Sequence, residues 1–164
     1  IGPERKIIRA MPNTPASLGM GVSALTHNNL INEKDEKEAE KIFDSVGITC
    51  WLEEKFFDLF TALFGSGPAY VFYLIEALQE SAQKIELPDN LIKNLIIQMI
   101  KGSASLAERS EDSPSELREK VTSPGGVTER ALEILNERKV KKHLVEAILE
   151  GASRSKHLGG RESG

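Results

Sequence analysis

A Gly-rich turn that runs straight into a helix is the most promising chemical feature of the sequence. Pro124, Gly125 and Gly126 end the preceding helix, and Thr128 opens a new amphipathic run. Amide groups at a helix start have no partner within the helix, and with the positive end of the helix dipole they suit a small anion such as a carboxylate. Ser123 and Thr128 add a hydroxyl on either side. The alternative is a turn that only joins two helices.

Size and composition describe an ordinary globular chain. It has 164 residues, of which 40% are hydrophobic and 28% charged, and its net charge is −4. A sequence pI near 5.5 argues against nucleic acid as the main partner. No unbroken apolar run approaches the ~18 residues of a membrane span, so we expect no membrane partner.

Cysteine and histidine content point away from disulfide and metal chemistry. The single cysteine, Cys50, lies in an apolar run, where a buried structural thiol is the default expectation. The three histidines are scattered and have no metal-ligand spacing, so no metal site is expected. A lone thiol and no apparent signal peptide favour a cytoplasmic location.

The first third of the chain has an α/β pattern. Short β-branched runs predict strands over residues 6–10, 20–26 and 48–52, and the prolines of residues 11–15 predict an extended loop without helix. Asn32 is expected to cap a helix over residues 33–46, with Gly47 as its stop. Three strands and one helix make a poor independent core, so we expect the last part of a larger sheet.

From Glu53 onward the pattern is helical throughout. Helices are predicted over residues 56–64, from Pro68 to about 85, and from Asp89 to about 109, followed by shorter ones near 114–121, 127–136 and 139–157. The segment 91–100 is apolar around most of its circumference and must be covered on nearly every side. An intertwined dimer would provide that cover; the alternative is a central core helix of a monomer.

Four segments resemble pyrroline-5-carboxylate reductases, in the order in which that family has them. They are Arg9-Ala-Met-Pro-Asn-Thr-Pro15, Val46-Gly47 with Glu53-Glu54, Gly65-Ser-Gly-Pro-Ala-Tyr70, and Leu117-Arg with Val121-Thr-Ser-Pro-Gly-Gly-Val-Thr128. The last of these is the most specific. The resemblance covers the chain except for its Gly-rich end.

The resemblance implies a mainly α fold, in which a helical dimerisation domain follows the last strands and helix of a truncated Rossmann-type α/β domain. Residues 1–52 would be the remnant of the dinucleotide-binding domain, 53–158 the helical dimerisation and substrate-binding domain, and 159–164 a flexible tail. No Gly-x-Gly-x-x-Gly follows a strand in this sequence. We therefore expect the chain to be inactive, or nearly so, by itself.

The family reaction would be hydride transfer from NADH or NADPH to the cyclic imine of 1-pyrroline-5-carboxylate, giving L-proline. By resemblance Thr128 is the catalytic candidate, with its hydroxyl on the ring nitrogen. The other implied substrate contacts are Glu54, Ser123, Gly125, Gly126 and Val127. The implied cofactor contacts are Met11, Pro12, Asn13, Thr14 and Lys120, although some family members carry Asn at the position of Lys120.

Two other functions stay open at this point. The chain could be a structural helical dimerisation module without activity. It could also come from a reductase of hydroxy acids, although those usually need a Lys or His proton donor beside the substrate, and none lies in the motifs. The resemblance implies a homodimer, or a ring of dimers, with a small-molecule substrate as the other partner.

Overall fold

The computed structural model describes residues 4–160 and shows a small mixed sheet followed by helices. The elements in chain order are β1 (Ile8–Pro12), β2 (Gly21–His27), α1 (Glu33–Asp44), β3 (Gly47–Trp51), α2 (Phe57–Phe60), α3 (Gly67–Lys84), α4 (Asp89–Arg109), α5 (Pro114–Lys120), α6 (Val127–Glu137) and α7 (Val140–Gly159). They form two compact units. One holds the described residues up to Tyr70 and those from Val145 onward, and the other holds Val71–Leu144.

The sheet has the order β1-β2-β3, with β1 antiparallel and β3 parallel to the central strand β2. Helix α1 makes the crossover between the two parallel strands, as a parallel connection requires. Ala24 and Leu25 of β2 are fully buried, and Ala24 packs with Phe57 and Phe60 of α2 in the core of this unit. The sheet therefore rests on the first helical turns that follow it.

Helix α1 starts as the sequence predicts and ends earlier. The Asn32 side chain accepts hydrogen bonds from the amides of Lys34 and Asp35, and the Asp35 carboxylate accepts one from the Asn32 amide, which completes a capping box. The helix ends at Asp44, and Gly47 is the first residue of β3. The prediction that Gly47 stops this helix is therefore wrong.

Gly47 is required for a different reason, the close approach of two strands. Its φ is 151°, and a β-carbon at this position would lie 2.5 Å from the backbone nitrogen of Gly21, the residue it pairs with in β2. A side chain at residue 47 would push the parallel strands apart. The glycine therefore sets the spacing at the start of this pair.

The proline segment after β1 is more regular than the sequence predicts. Strand β1 continues through Met11 and Pro12, and a short 3-10 helix covers Thr14–Leu18 with Pro15 in its first turn. The expectation of an extended loop without helix is wrong here. Proline is tolerated in a first helical turn because the amide it lacks would have had no partner there.

The tryptophan of the chain ties the end of the sheet to α1. The indole N–H of Trp51 donates to Oε1 of Glu40 at 2.7 Å, and the ring meets His27 edge-on at 5.4 Å between centroids. His27 in turn lies 2.9 Å from the Glu36 carboxylate. Sheet and helix are thus joined by polar contacts as well as by apolar packing.

The helical stretch after the sheet changes its winding. A 3-10 turn at Glu54–Phe56 leads into α2, a π-helical turn follows at Thr61–Gly65, and α3 begins at Gly67. Among residues 4–160, the combined stretch Glu54–Lys84 is the one long and apolar enough to cross a membrane by length and composition. That criterion is weak, because core helices of soluble proteins also meet it.

The second unit has a thin core and an uncovered apolar surface. Ala82 of α3 packs against Ile92 and Ile96 of α4, whereas other large apolar side chains of α4 are about half exposed: Leu91, Leu95, Met99 and Leu106. Helix α4 has the predicted length, but the alternative that it is the central core helix of a monomer is wrong. Apart from the side that packs on α3, its apolar circumference has no cover from the described residues.

The last three helices begin where the sequence predicts, within a residue. In α5, Ser113 and Glu116 form a capping box, with the Ser113 amide donating to Glu116 Oε2 at 2.7 Å. The last helix runs to Gly159, the first residue of the predicted flexible tail, and residues 161–164 of that prediction lie outside the described residues.

Candidate functional site

Two glycines shape the turn between α5 and α6. Gly125 has a φ of 72°, in the left-handed region that favours glycine, and Gly126 is the N-cap of α6. A β-carbon on Gly126 would lie 2.8 Å from the carbonyl oxygen of Ser123. The turn is therefore tight, and α6 begins directly after it.

Two of the amides in this turn already have acceptors. The Gly125 amide donates to Oε2 of Glu129 at 2.6 Å, and the Gly126 amide donates to the Ser123 carbonyl at 2.9 Å. The expectation that the amides of this turn are unpaired from Gly125 onward is therefore wrong for Gly125 and Gly126. The amides of Val127 and Thr128 have no acceptor among the described residues, and both residues are exposed.

Thr128 lies two residues after the N-cap of α6, Gly126, and therefore too late to cap the helix. It is the second residue of the helix, and its hydroxyl makes no hydrogen bond with any described residue. The alternative that this hydroxyl is a helix cap finds no support in the geometry. Ser123 is also exposed, so both hydroxyls of the turn are accessible to a ligand.

Lys120 is held inside its own unit by an ion pair with Asp112. The hydrogen bond from Lys120, with a second one from Ser110, holds the pKa of Asp112 below its ordinary value of 3.8. The ammonium group implied as a cofactor contact is thus paired with the carboxylate of Asp112, which lies just before the start of α5.

The Met11–Thr14 loop, which consists of the end of β1 and its link to the 3-10 helix, lies in the other unit and is fixed by its own side chains. Met11 packs against the core formed by Ala24, Phe57 and Phe60. Asn13 accepts a hydrogen bond from the Val22 amide at 2.9 Å and donates one to the Phe64 carbonyl at 3.1 Å. Within this loop, the exposed residues are Pro12 and Thr14.

Glu54 is paired as well. Its carboxylate accepts from the guanidinium of Arg9, which also lies over the ring of Phe57 at 4.7 Å from the centroid. The Glu54 side chain remains 62% exposed. The carboxylate is therefore accessible, but its charge is balanced.

Each unit holds its own set of the implied site residues. Met11, Pro12, Asn13, Thr14 and Glu54 lie in the unit with the sheet, and Lys120 and the turn of residues 123–128 lie in the other. Sequence reasoning missed Glu129 and Arg9. Glu129 was detectable, because a carboxylate in the first turn of a helix is the usual partner of amides at its start.

The fold defines the general class of the protein, a helical dimerisation domain preceded by strands and a helix of Rossmann type. The family described as "Pyrroline-5-carboxylate reductase dimerisation" matches residues 54–158. The chain therefore belongs to the pyrroline-5-carboxylate reductase family.

Individual relatives support this assignment. The chain is 37% identical to a pyrroline-5-carboxylate reductase of Synechocystis over 96% of its own length and 59% of the relative's. It is 38% identical to the enzyme of Pisum sativum over 93% of its length and 56% of the relative's. The chain thus spans somewhat less than three fifths of these curated relatives.

The fold is shared with solved structures. Pyrroline carboxylate reductase of Plasmodium falciparum, determined with NADP bound, superposes with a TM-score of 0.93 at 37% identity, covering 97% of this chain and 64% of that one. The enzyme from Coxiella burnetii superposes with a TM-score of 0.89, also at 37% identity, covering 96% and 58%.

Proposed function

We propose that this chain carries the carboxylate-binding and dimerising part of a pyrroline-5-carboxylate reductase. The reaction reduces the cyclic imine of 1-pyrroline-5-carboxylate to L-proline at the expense of NAD(P)H. The observation that carries the proposal is the start of α6, where the amides of Val127 and Thr128 and the Thr128 hydroxyl have no partner among the described residues. Membership of the reductase family supports 1-pyrroline-5-carboxylate as the ligand of this turn.

Each free group has a distinct task in such a reaction. The amides of Val127 and Thr128 bind the carboxylate of the ring, and the helix dipole adds to their attraction. The Thr128 hydroxyl donates to the ring nitrogen and holds the imine in orientation, while the proton that the nitrogen gains comes from solvent. The amides of Gly125 and Gly126 are already bonded, so these two glycines contribute only the tight backbone turn before the helix.

The loop Met11–Thr14 is proposed as the support for the nicotinamide end of the cofactor. NAD(P)H, when bound, supplies the hydride. The exposed residues Pro12 and Thr14 give this loop an uncharged surface, which fits the uncharged dihydronicotinamide ring of the reduced cofactor, and the Thr14 hydroxyl has no partner among residues 4–160. No Gly-rich strand-to-helix turn lies within the 164 residues, so we expect them alone to reduce no substrate.

Titration of the ¹⁵N-labelled chain with L-proline tests the binding half of the proposal. The amide signals of Val127 and Thr128 should shift and saturate. Thr128→Val removes the hydroxyl oxygen that would accept from the protonated ring nitrogen of L-proline, and it should weaken binding about fivefold. Thr122→Val is the matched control, because the Thr122 hydroxyl already donates to the Arg118 carbonyl at 2.6 Å.

Two results would contradict the binding role. One is an absence of shifts at the start of α6 in the wild-type chain, which would favour the structural module. The other is an equal loss of affinity in Thr128→Val and Thr122→Val, because the effect would then reflect general damage to the fold.

Dimerisation is the second function, and the half-exposed apolar side chains of α4 favour it. We propose that a second copy covers them, as the family description implies for residues 54–158. Leu95→Glu should shift the sedimentation of the chain towards the monomer, whereas Lys101→Glu on the same helix should not. A wild-type chain that sediments as a monomer at all concentrations would contradict this.

We place the protein in the cytoplasm, because its one cysteine is free.

A further inference from the structure

The π-helical turn of the first unit leaves backbone carbonyls without their usual partners. The Ser66 amide donates five residues back, to the Thr61 carbonyl at 2.8 Å, and so it does not reach Ala62 as it would in an α-helix. The Tyr70 hydroxyl donates to the Ala62 carbonyl instead, at 2.8 Å. A side chain therefore replaces a helix hydrogen bond at this point.

The second carbonyl, that of Phe64, loses its partner because of a proline. The residue four positions ahead is Pro68, which has no amide hydrogen, and the next amide, that of Ala69, donates to Ser66 at 2.9 Å. The Asn13 side-chain amide donates to the Phe64 carbonyl at 3.1 Å. The gap in the helix thus provides an acceptor for the loop that follows β1.

The oxygen of the Asn13 side-chain amide is bonded to the sheet. Oδ1 of Asn13 accepts from the Val22 amide of β2 at 2.9 Å, so one side chain joins the loop to a strand and to the π-helical turn. Met11 adds an apolar contact to the same turn, because a β-carbon on Gly65 would lie 2.8 Å from its terminal methyl group. The loop is therefore attached to the turn at two points.

We propose that Asn13 is a positioning residue for the nicotinamide support, not a residue that touches the cofactor. One hydrogen and the oxygen of its amide bond to the protein, and these two bonds fix the loop so that Pro12 and Thr14 face outward. Pro68 is its necessary counterpart, because a residue with an amide hydrogen there would compete for the Phe64 carbonyl. This inference rests on the cofactor role proposed for the loop.

We call the hydrogen bond from the Asn13 side chain to the Phe64 carbonyl the joint. Two substitutions disturb it in different ways. Asn13→Asp keeps the acceptor for the Val22 amide but sets a carboxylate oxygen against the Phe64 carbonyl. Pro68→Ala supplies an amide that can take over that carbonyl, and because it favours helix it should not unfold the chain. Asn28→Asp is the matched control, since Asn28 likewise accepts from Ile7 and donates to the Arg5 carbonyl in the same unit.

The readout is the methyl spectrum of the three methionines. Asn13→Asp and Pro68→Ala should both move the Met11 signal and leave those of Met20 and Met99 in place, and Asn28→Asp should move none of the three. Reduced nicotinamide mononucleotide should perturb Met11 in the wild-type chain, with an affinity about fivefold weaker in both joint variants.

The possible failures are distinguishable. A Met11 signal that neither joint variant moves refutes the positioning role of Asn13. A wild-type Met11 signal that the mononucleotide leaves unchanged refutes the cofactor role of the loop, whatever the variants do. A response equal in the joint variants and in Asn28→Asp also overturns the proposal, because it reduces the effect to stability.

Discussion

Replacing Glu129 by glutamine should tighten carboxylate binding while slightly weakening the fold. The Glu129 carboxylate lies 2.6 Å from the Gly125 amide, at the start of the helix that we propose as the carboxylate site. An incoming carboxylate must approach this negative charge. At ~4 Å in water such a repulsion is worth about 1 kcal/mol, which corresponds to roughly fivefold in affinity. The lost favourable charge at the helix start should cost about 0.3–1 kcal/mol of unfolding free energy.

The assay combines two measurements on the same samples. Titration with acetate, an anion without the positively charged nitrogen of L-proline, is followed through the Val127 and Thr128 amides and gives the affinity, and urea unfolding gives the stability. Glu133→Gln is the control, since it removes the same charge one turn later, where Glu133 pairs with Arg130 at 2.9 Å. The gain in affinity should shrink as salt is added. Weaker binding by Glu129→Gln than by wild type would refute this reasoning, because the carboxylate would then assist the ligand.

Two further predictions concern the frame around the sites. Gly47→Ala should lower the unfolding free energy by about 3 kcal/mol, because the new β-carbon would collide with Gly21. Gly19→Ala is the control, since Gly19 has a φ of 70° and open space around it, and it should cost about 1 kcal/mol. Equal losses in urea unfolding would contradict the collision. Lys120→Met should raise the pKa of Asp112 toward 3.8 in a carboxyl NMR titration. Because folding lowers that pKa, the pair stabilises the fold above about pH 4 and its contribution disappears as the pH falls through the folded value; an unchanged Asp112 pKa would contradict this.

Local signals predicted most of the helices. Asn32 and the Ser113–Glu116 pair mark helix starts by side-chain chemistry that depends on a few neighbouring residues, and the structure has both caps. Helix α4 was predictable in length for the same reason, since its bounds follow from Pro88 and from the end of the apolar pattern. The resemblance of four short motifs predicted the family.

Features that depend on residues distant in sequence were not predictable. The role of Gly47 follows from its pairing with Gly21, which no local pattern shows. The π-helical turn depends on side chains that satisfy its carbonyls from elsewhere in the chain, among them Asn13. The bond between Glu129 and Gly125, by contrast, is local, and the acidic residue in the first turn of α6 was a signal for it.

The position of Trp51 has a practical consequence for studying the two compact units. The chain has one tryptophan, and its indole joins β3 to α1 within the unit that contains the sheet. Fluorescence excited selectively at this ring therefore reports only on that unit, whereas far-ultraviolet circular dichroism is dominated by the helices of both. Denaturation curves that coincide by the two optical methods would mean that the units melt as one cooperative body, and separated midpoints would give each unit its own stability.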